Sequence, residues 1–346
     1  MKNNKPAIGI TMGDPAGVGP EIAVKSLNST AVFDQCNPLV IGDAKVIRSC
    51  IEDLNLALQV NPVHDVRDAC FQPGTIDVYD LNNVDATKLK PGEVSAMAGH
   101  AAFEAVTTAI QLALDNKIDA TVTGPIHKKA INEAGHHFSG HTEIYAHYTG
   151  VRQYAMLLVD GDFRVAHIST HVSLRKACDL VKKQRILDVI KLLDAGLNQM
   201  GIRNGKIGVA GLNPHAGDAG LFGDEEEKEI IPAIEAAVKL GFRVEGPVAP
   251  DTMFTKAVTG YYDGCIAMYH DQGHIPFKLA GFKWNNDSQK MESVKGVNIT
   301  LGLPIIRTSV DHGTAFDIVG KDLASPDAML LAIDYAIKLA SNKKEQ

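Results

Sequence analysis

Three histidines stand in three separate short motifs, each just after an apolar, β-like run. His171 lies in Ser169-Thr170-His171-Val172-Ser173, after Arg164-Val165-Ala166-His167-Ile168. His215 lies in Gly211-Leu212-Asn213-Pro214-His215-Ala216-Gly217-Asp218, after Lys206-Ile207-Gly208-Val209-Ala210. His270 lies in Met268-Tyr269-His270-Asp271-Gln272-Gly273-His274, after Cys265-Ile266-Ala267-Met268. In an open α/β sheet, ligands bind outside the carboxyl ends of strands. Three neutral imidazoles delivered there could converge on one divalent metal such as Zn, Co, Ni or Fe, leaving the ion's full charge for an anionic substrate. Such a centre would make the chain an enzyme and not a binding module. Taken singly, each histidine is better explained as a packed or capping residue. Three together, in turns rich in Gly, Pro, Asp and Thr, favour the metal. Asp271 and Asp218 could orient the rings. His274, four residues past His270 in a Gly-containing turn, is expected to face elsewhere.

Other residues suit an anion. In Ser139-Gly140-His141-Thr142-Glu143, Gly140 allows close backbone approach, and His141 and Thr142 offer an imidazole and a hydroxyl. The helical pattern that follows could aim a helix N-terminus at a phosphate or carboxylate; an ordinary N-cap by Thr142 or Ser139 explains the motif equally well. Lys278, Asn298 and Arg307 would form an anion clamp if strand ends brought them together, and are otherwise three polar surface residues. Asp311-His312-Gly313-Thr314-Ala315-Phe316-Asp317 reads as a Gly turn leading into a helix, weak evidence for a nucleotide by itself. No G-x-G-x-x-G follows the first strand, only the proline-containing Met12–Pro20 loop, and there is no P-loop. A dinucleotide, if bound, is not held in the Rossmann manner.

The elements that must carry these residues alternate. Ala7–Thr11, Pro38–Gly42, Ala120–Gly124, and the pair Ala155–Val159 and Phe163–Ile168 read as strands. Pro20 onward, Met97–Asp115, Gln184–Met200, Glu225–Leu240 and Pro326–Ser341 read as helices. Alternation of this kind predicts an α/β sandwich with a mostly parallel sheet. Lys283–Lys295 is polar, with Asn285, Asn286, Asp287, Ser288 and Gln289 together, and reads as an exposed hairpin or loop. With 346 residues the chain has room for two domains, placed at 1–125 plus 296–346 and at 126–295. A net charge of −7 and no long basic run argue against nucleic acid. The five cysteines, odd in number and without a C-x-x-C pair, read as reduced thiols. No signal-peptide pattern and no apolar run near the ~20 residues of a membrane helix are visible. A cytoplasmic protein without membrane partners is expected.

Along nearly its whole length the chain resembles the 4-hydroxythreonine-4-phosphate dehydrogenase family. The matching stretches include Ile10–Glu21, Thr123–Lys128, Gly140–Glu143, Thr170-His171, Leu212–Gly217, Ala249–Thr252, Ala267–Gly273 and Gly296–Pro304. Asp311–Ala315 also resembles the NAD-binding loop of isopropylmalate and isocitrate dehydrogenases. That likeness implies their fold: two α/β/α domains with the active site in the cleft between them. The family resemblance implies NAD-dependent oxidation of a 3-hydroxy acid carrying a 4-phosphate, followed by loss of CO2. It implies a divalent ion (Zn, Mg or Co) on His171, His215 and His270, drawn from both subunits of a homodimer. It implies substrate contacts from His141, Thr142, Lys278, Asn298 and Arg307, and a cofactor loop at His312, Gly313, Thr314 and Asp317. Asp251 or a metal-bound water is the candidate general base, with Lys278 a second candidate catalytic residue. The Asp14, Ala166–Lys176 and Gly220–Glu226 stretches look closer to a sister group acting on 4-phospho-D-threonate or 4-phospho-D-erythronate. The amino substrate of vitamin B6 synthesis is the alternative. A metal-dependent hydrolase or lyase and a non-catalytic sugar-phosphate-binding protein are the remaining rivals.

Overall fold

The structure, a computed structural model, describes residues 5–286, 290–294 and 296–344. The chain divides into two compact units, Met1–Val151 with Leu303–Gln346, and Arg152–Gly302.

The first unit holds strands β1 (Ala7–Thr11), β2 (Asn37–Gly42), β3 (Gln59–Val63), β4 (Thr75–Asp80), β5 (Ala120–Thr123) and, from the C-terminal stretch, β14 (Ile306–Val310). They lie in the order β3-β4-β2-β1-β5-β14, every pair parallel. A parallel sheet is covered on both faces, so its inner strands are apolar runs and not alternating ones. β1, β2 and β5 are buried at nearly every position. Helix Ala96–Leu114 covers one face; it starts where Ser95 Oγ caps the N–H of Ala98, and its alanine-rich sequence allows close approach to the sheet. Helix His141–Thr149 packs into the same core through Ile144 and Tyr145. This packing puts the division of units at Val151/Arg152 and Gly302/Leu303, later than the sequence reading at 125/126 and 295/296.

The second unit holds β6 (Ala155–Asp160), β7 (Phe163–His167), β8 (Ile207–Ala210), β9 (Val244–Val248), β10 (Gly264–Ala267), β11 (Phe282–Asn285), β12 (Lys290–Val294) and β13 (Val297–Leu301). Its main strands run β13-β6-β7-β10-β8-β9. The β13-β6-β7 part is antiparallel and the β7-β10-β8-β9 part parallel, so the sheet is mixed. The β6–β7 pair across Asp160–Asp162 is the expected hairpin. β3, at an edge of the first unit's strands, and β9, at an edge of the second unit's, carry Pro62 and Pro247, residues without an N–H that an edge tolerates. Met156, Phe163, Phe254 and Phe277 form a separate core; burying each such side chain contributes roughly 1.5–3 kcal/mol. β11 and β12 pair antiparallel and so form the hairpin read at Lys283–Lys295; Asp287, Ser288, Gln289 and Lys295 lie outside the described residues.

Three readings need correction. His270–Gly281 is a helix, with Pro276 inside it, and not a turn. Glu226–Ile230 is a π-turn that passes into an α-helix only at Ile231, where Pro232 sits in the first turn. Asp311–Asp322 is a series of turns; the next helix starts at Asp327.

Candidate active site

In the second unit the three histidine motifs follow β7, β10 and β8, which are neighbours and parallel. Their loops therefore leave the same end of the sheet side by side, at strand spacings of roughly 4.8 Å. His270 opens its helix, and its Nδ1 lies 2.7 Å from Asp271 Oδ1. That contact orients the ring and leaves Nε2 for an external ligand. The His171 ring lies 6.0 Å from that of His270, centre to centre. His215, on the other side of β10, has its ring 6.2 Å from that of Phe222. Among the described residues of the single chain, no three His, Cys, Asp or Glu side chains stand grouped to hold a metal. The donor chemistry of the three loops nonetheless suits a divalent ion of intermediate softness.

His274 does not face elsewhere. The helix puts it one turn past His270, so the two rings stack at 3.7 Å. Its Nδ1 sits 3.0 Å from the His270 carbonyl, and burial pulls its pKa down to about 4. His167, at the end of β7, packs its ring 4.7 Å from that of His274, and burial holds it neutral, well below the ordinary histidine range.

The His215 loop is strained. Residues 215 to 220 have successive φ values of 54, 56, 83, 44, 55 and 86°. That is a left-handed turn, and four of its residues (His215, Ala216, Asp218 and Ala219) carry a Cβ, at about 1–2 kcal/mol each. Asp218, read as a possible orienting partner, is one of them. The buried Glu226 carboxylate anchors the start of the loop: Oε1 accepts the N–H groups of Leu212 (2.7 Å) and Asn213 (2.8 Å), and Oε2 accepts Asn213 Nδ2 (2.8 Å). Lys278 is half-buried, its Nζ 5.2 Å from the Phe282 ring centre. Asn298 lies on β13 with its Oδ1 buried and without a hydrogen-bond partner. Asp251 is exposed in the first turn of helix Pro250–Ala257.

In the first unit β1, β5 and β14 are likewise adjacent and parallel. Arg307, on β14, is buried; Thr123 Oγ1 accepts from its Nη2 at 2.8 Å and its Nε at 3.3 Å, and the Tyr145 ring lies 5.6 Å from its Cζ. Tyr145 is held in turn by its hydroxyl, which donates to Thr121 Oγ1 at 2.9 Å. Burial brings the Arg307 pKa down to about 10, so the charge persists at neutral pH. His141 begins the helix after Gly140, and no side chain caps that end, neither Ser139 nor Thr142. Its Nε2 is buried without a partner, and burial together with the Arg307 charge keeps the ring neutral. Thr142 is half-buried beside it. A fixed cation, an unsatisfied imidazole nitrogen and a helix N-terminus together suit an anion.

The His312–Asp317 stretch is tied to the loop after β1: the Thr314 carbonyl accepts from Val18 N–H at 3.0 Å. His312 Nδ1 lies 2.9 Å from the Gly313 carbonyl, Gly313 and Asp317 are exposed, and Phe316 stacks on His127 at 5.0 Å. Asp14 is fully buried on the same loop; its Oδ1 accepts from Ala16 N–H at 2.9 Å, Oδ2 has no partner, and burial raises its pKa. Sequence reasoning missed Thr123, Tyr145, Gln272 and Glu226. Thr123, Gln272 and Glu226 fall inside stretches already singled out, but nothing local distinguishes their side chains.

Comparison with known proteins agrees with this geometry. Residues 34–336 match the family described as pyridoxal phosphate biosynthetic protein PdxA. A Clostridium botulinum protein provisionally named D-threonate 4-phosphate dehydrogenase is 46% identical over 345 residues, covering 100% of both chains. Among solved structures, a 4-hydroxythreonine-4-phosphate dehydrogenase from Burkholderia phymatum is 43% identical with a TM-score of 0.82, covering 97% of this chain and 99% of that one. One of the same description from Klebsiella pneumoniae is 42% identical with a TM-score of 0.84, covering 97% and 100%.

Proposed function

The chain belongs to the PdxA family of oxidoreductases, and from that premise we propose that it oxidises and decarboxylates a 4-phosphorylated 3-hydroxy acid, 4-phospho-D-threonate or 4-phospho-D-erythronate, with NAD and a divalent metal. The observation that carries this reading is the full-length 46% identity to the relative named for D-threonate 4-phosphate. The anion-seeking group around Arg307 and His141 supports it, because a phosphorylated acid brings the charge that a buried guanidinium and a neutral imidazole donor can hold.

In this reading His171, His215 and His270 hold the ion. Bound metal would supply positive charge at the C3 oxygen and bound NAD would take up the hydride. Arg307, His141, Thr142, Lys278 and Asn298 bind and orient the substrate, so that binding energy from its remote phosphate positions C3. The His312–Asp317 loop cradles the cofactor, and Asp251 or a water takes the proton. The protein works as a homodimer. A second reading, the amino substrate 4-hydroxythreonine 4-phosphate, is favoured by the names of the 42–43% identical solved structures.

The two readings differ at C2, hydroxyl against ammonium, a difference that a polar pocket can discriminate by orders of magnitude. NAD reduction measured side by side on the three phosphorylated acids, under matched metal, tests them. A higher kcat/KM on phospho-D-threonate or phospho-D-erythronate is expected. A higher value on the amino substrate assigns the enzyme to vitamin B6 synthesis instead.

A further inference from the structure

The three histidine loops are joined by a run of buried hydrogen bonds in which no histidine ring takes part. Ser169 Oγ, in the His171 loop, donates to the Met268 carbonyl at 3.3 Å. The Met268 N–H, just before His270, donates to Gln272 Oε1 at 2.7 Å. Gln272 Nε2 donates to the Gly211 carbonyl, in the His215 loop, at 2.8 Å. One residue further on, Glu226 takes the N–H groups of Leu212 and Asn213. Ser169, Gln272 and Glu226 are all buried, at 8%, 9% and 2% exposure.

Loops beyond strand ends have no ladder to fix their spacing, and a buried side-chain amide that satisfies one donor and one acceptor in two different loops supplies it. The left-handed turn sharpens the need. A strained segment keeps its geometry only when its surroundings over-determine it, and Glu226 grips that segment at its entry. The shape of the chain is fitted to this contact: a Cβ on Gly217 would lie 2.9 Å from Glu226 Oε2, and one on Gly211 3.1 Å from Oε1.

We propose that Gln272 and Glu226 are positioning residues that brace the three loops, holding His171, His215 and His270 each in the place from which it serves a metal ion, whether in its own protomer's site or in a site shared with a second copy. The proposal rests on the metal reading above. It predicts that loosening the brace costs metal affinity before it costs the fold.

The test uses the whole purified protein, stripped of metal, titrated with Co(II) and followed by its visible absorption; amide hydrogen exchange is measured in the metal-free state. Gln272→Met conserves volume and removes both bonds. Glu226→Leu removes the anchor, while Glu226→Gln keeps an acceptor for the two amides. Gln272→Met and Glu226→Leu are expected to weaken Co(II) binding by roughly 10- to 100-fold. Both should speed exchange at the braced amides (Met268 for the first, Leu212 and Asn213 for the second), with β1 and β5 unchanged. Glu226→Gln should recover most of the affinity. Gln272→Glu, which loses only the donor to Gly211, gives the same reading if Gln272→Met does not fold. His215→Ala is the control. Loss of Co(II) in that control beside wild-type binding and exchange in the brace variants overturns the brace alone. Wild-type Co(II) binding in the control overturns the metal reading, and the brace with it.

Discussion

Arg307 was visible in the sequence as a cation after a strand, but what makes it more than a surface charge was not. Thr123, which holds its guanidinium, is 184 residues away, and no local pattern joins the two. His141 is a similar case: the Gly140-His141-Thr142 motif suggested an anion, and nothing local foretold that its Nε2 is buried without a partner on a ring that burial keeps neutral. The Arg307 environment leads to a specific expectation. Lysine would keep the positive charge but lose the planar fork on Thr123 and the stacking on Tyr145. A charge-assisted hydrogen bond is worth about 1.5–3 kcal/mol, so Arg307→Lys should lower kcat/KM for the phosphorylated substrate by roughly 10- to 100-fold. The loss should fall mainly on KM. Steady-state kinetics on the preferred acid checks this, and an unchanged kcat/KM would remove Arg307 from the substrate site.

At the scale of elements, the left-handed turn makes a sharp stability prediction. Gly217 has φ 83°, and a Cβ there would meet the fixed Glu226 carboxylate at 2.9 Å. Gly217→Ala should therefore cost about 2–4 kcal/mol, the sum of left-handed strain and a displaced buried contact. Ala219→Gly, two residues on at φ 55°, relieves strain of the same kind and should be neutral or stabilising by up to ~1 kcal/mol. Urea unfolding of the pair decides it; a Gly217→Ala variant as stable as wild type would mean that the turn is not held as described. The elements themselves were largely legible. β1 and β5, the Ala96–Leu114 helix and the β6–β7 hairpin follow from apolar runs, periodicity and turn residues. One miss has a clear cause. In His270–Gly281, Gly273 and Pro276 read locally as turn-forming, yet the helix persists with Phe277 fully buried beneath it. Tertiary packing outweighs a local signal worth about 1 kcal/mol for Gly and about 3 for Pro.

For the whole molecule, the division of chemistry is uneven. The first unit carries the buried cation and the neutral His141, the second the three histidine loops. Charge and composition bounded the class of protein but could say nothing of assembly, because an interface leaves no periodic trace in a sequence. Apolar side chains stand exposed on all three histidine-bearing segments: Val172 and Leu174 at 43% and 63%, Leu221 and Phe222 at 71% and 48%, Ile275 and Leu279 at 58% and 78%. Concentrated apolar exposure marks an interaction surface, and in the homodimer of the proposed function a second copy of the chain would cover it. Within one chain the His171 and His270 rings approach to 6.0 Å, while the His215 ring lies 6.2 Å from that of Phe222. Under the proposed function, the partition to test is His171 and His270 from one protomer and His215 from its partner. Mixing His171→Ala with His215→Ala subunits then creates heterodimers with one intact site each. With random pairing, half the dimers are mixed, so about a quarter of wild-type activity should return from two inactive parents. Mixing His171→Ala with His270→Ala should return none, because every site would lack a ligand. Subunit exchange is verified by mass spectrometry before assay. Recovery in the second mixture and not in the first would make His270 the ligand from the partner, recovery in both would make it His171, and no recovery in either would place all three ligands in one chain.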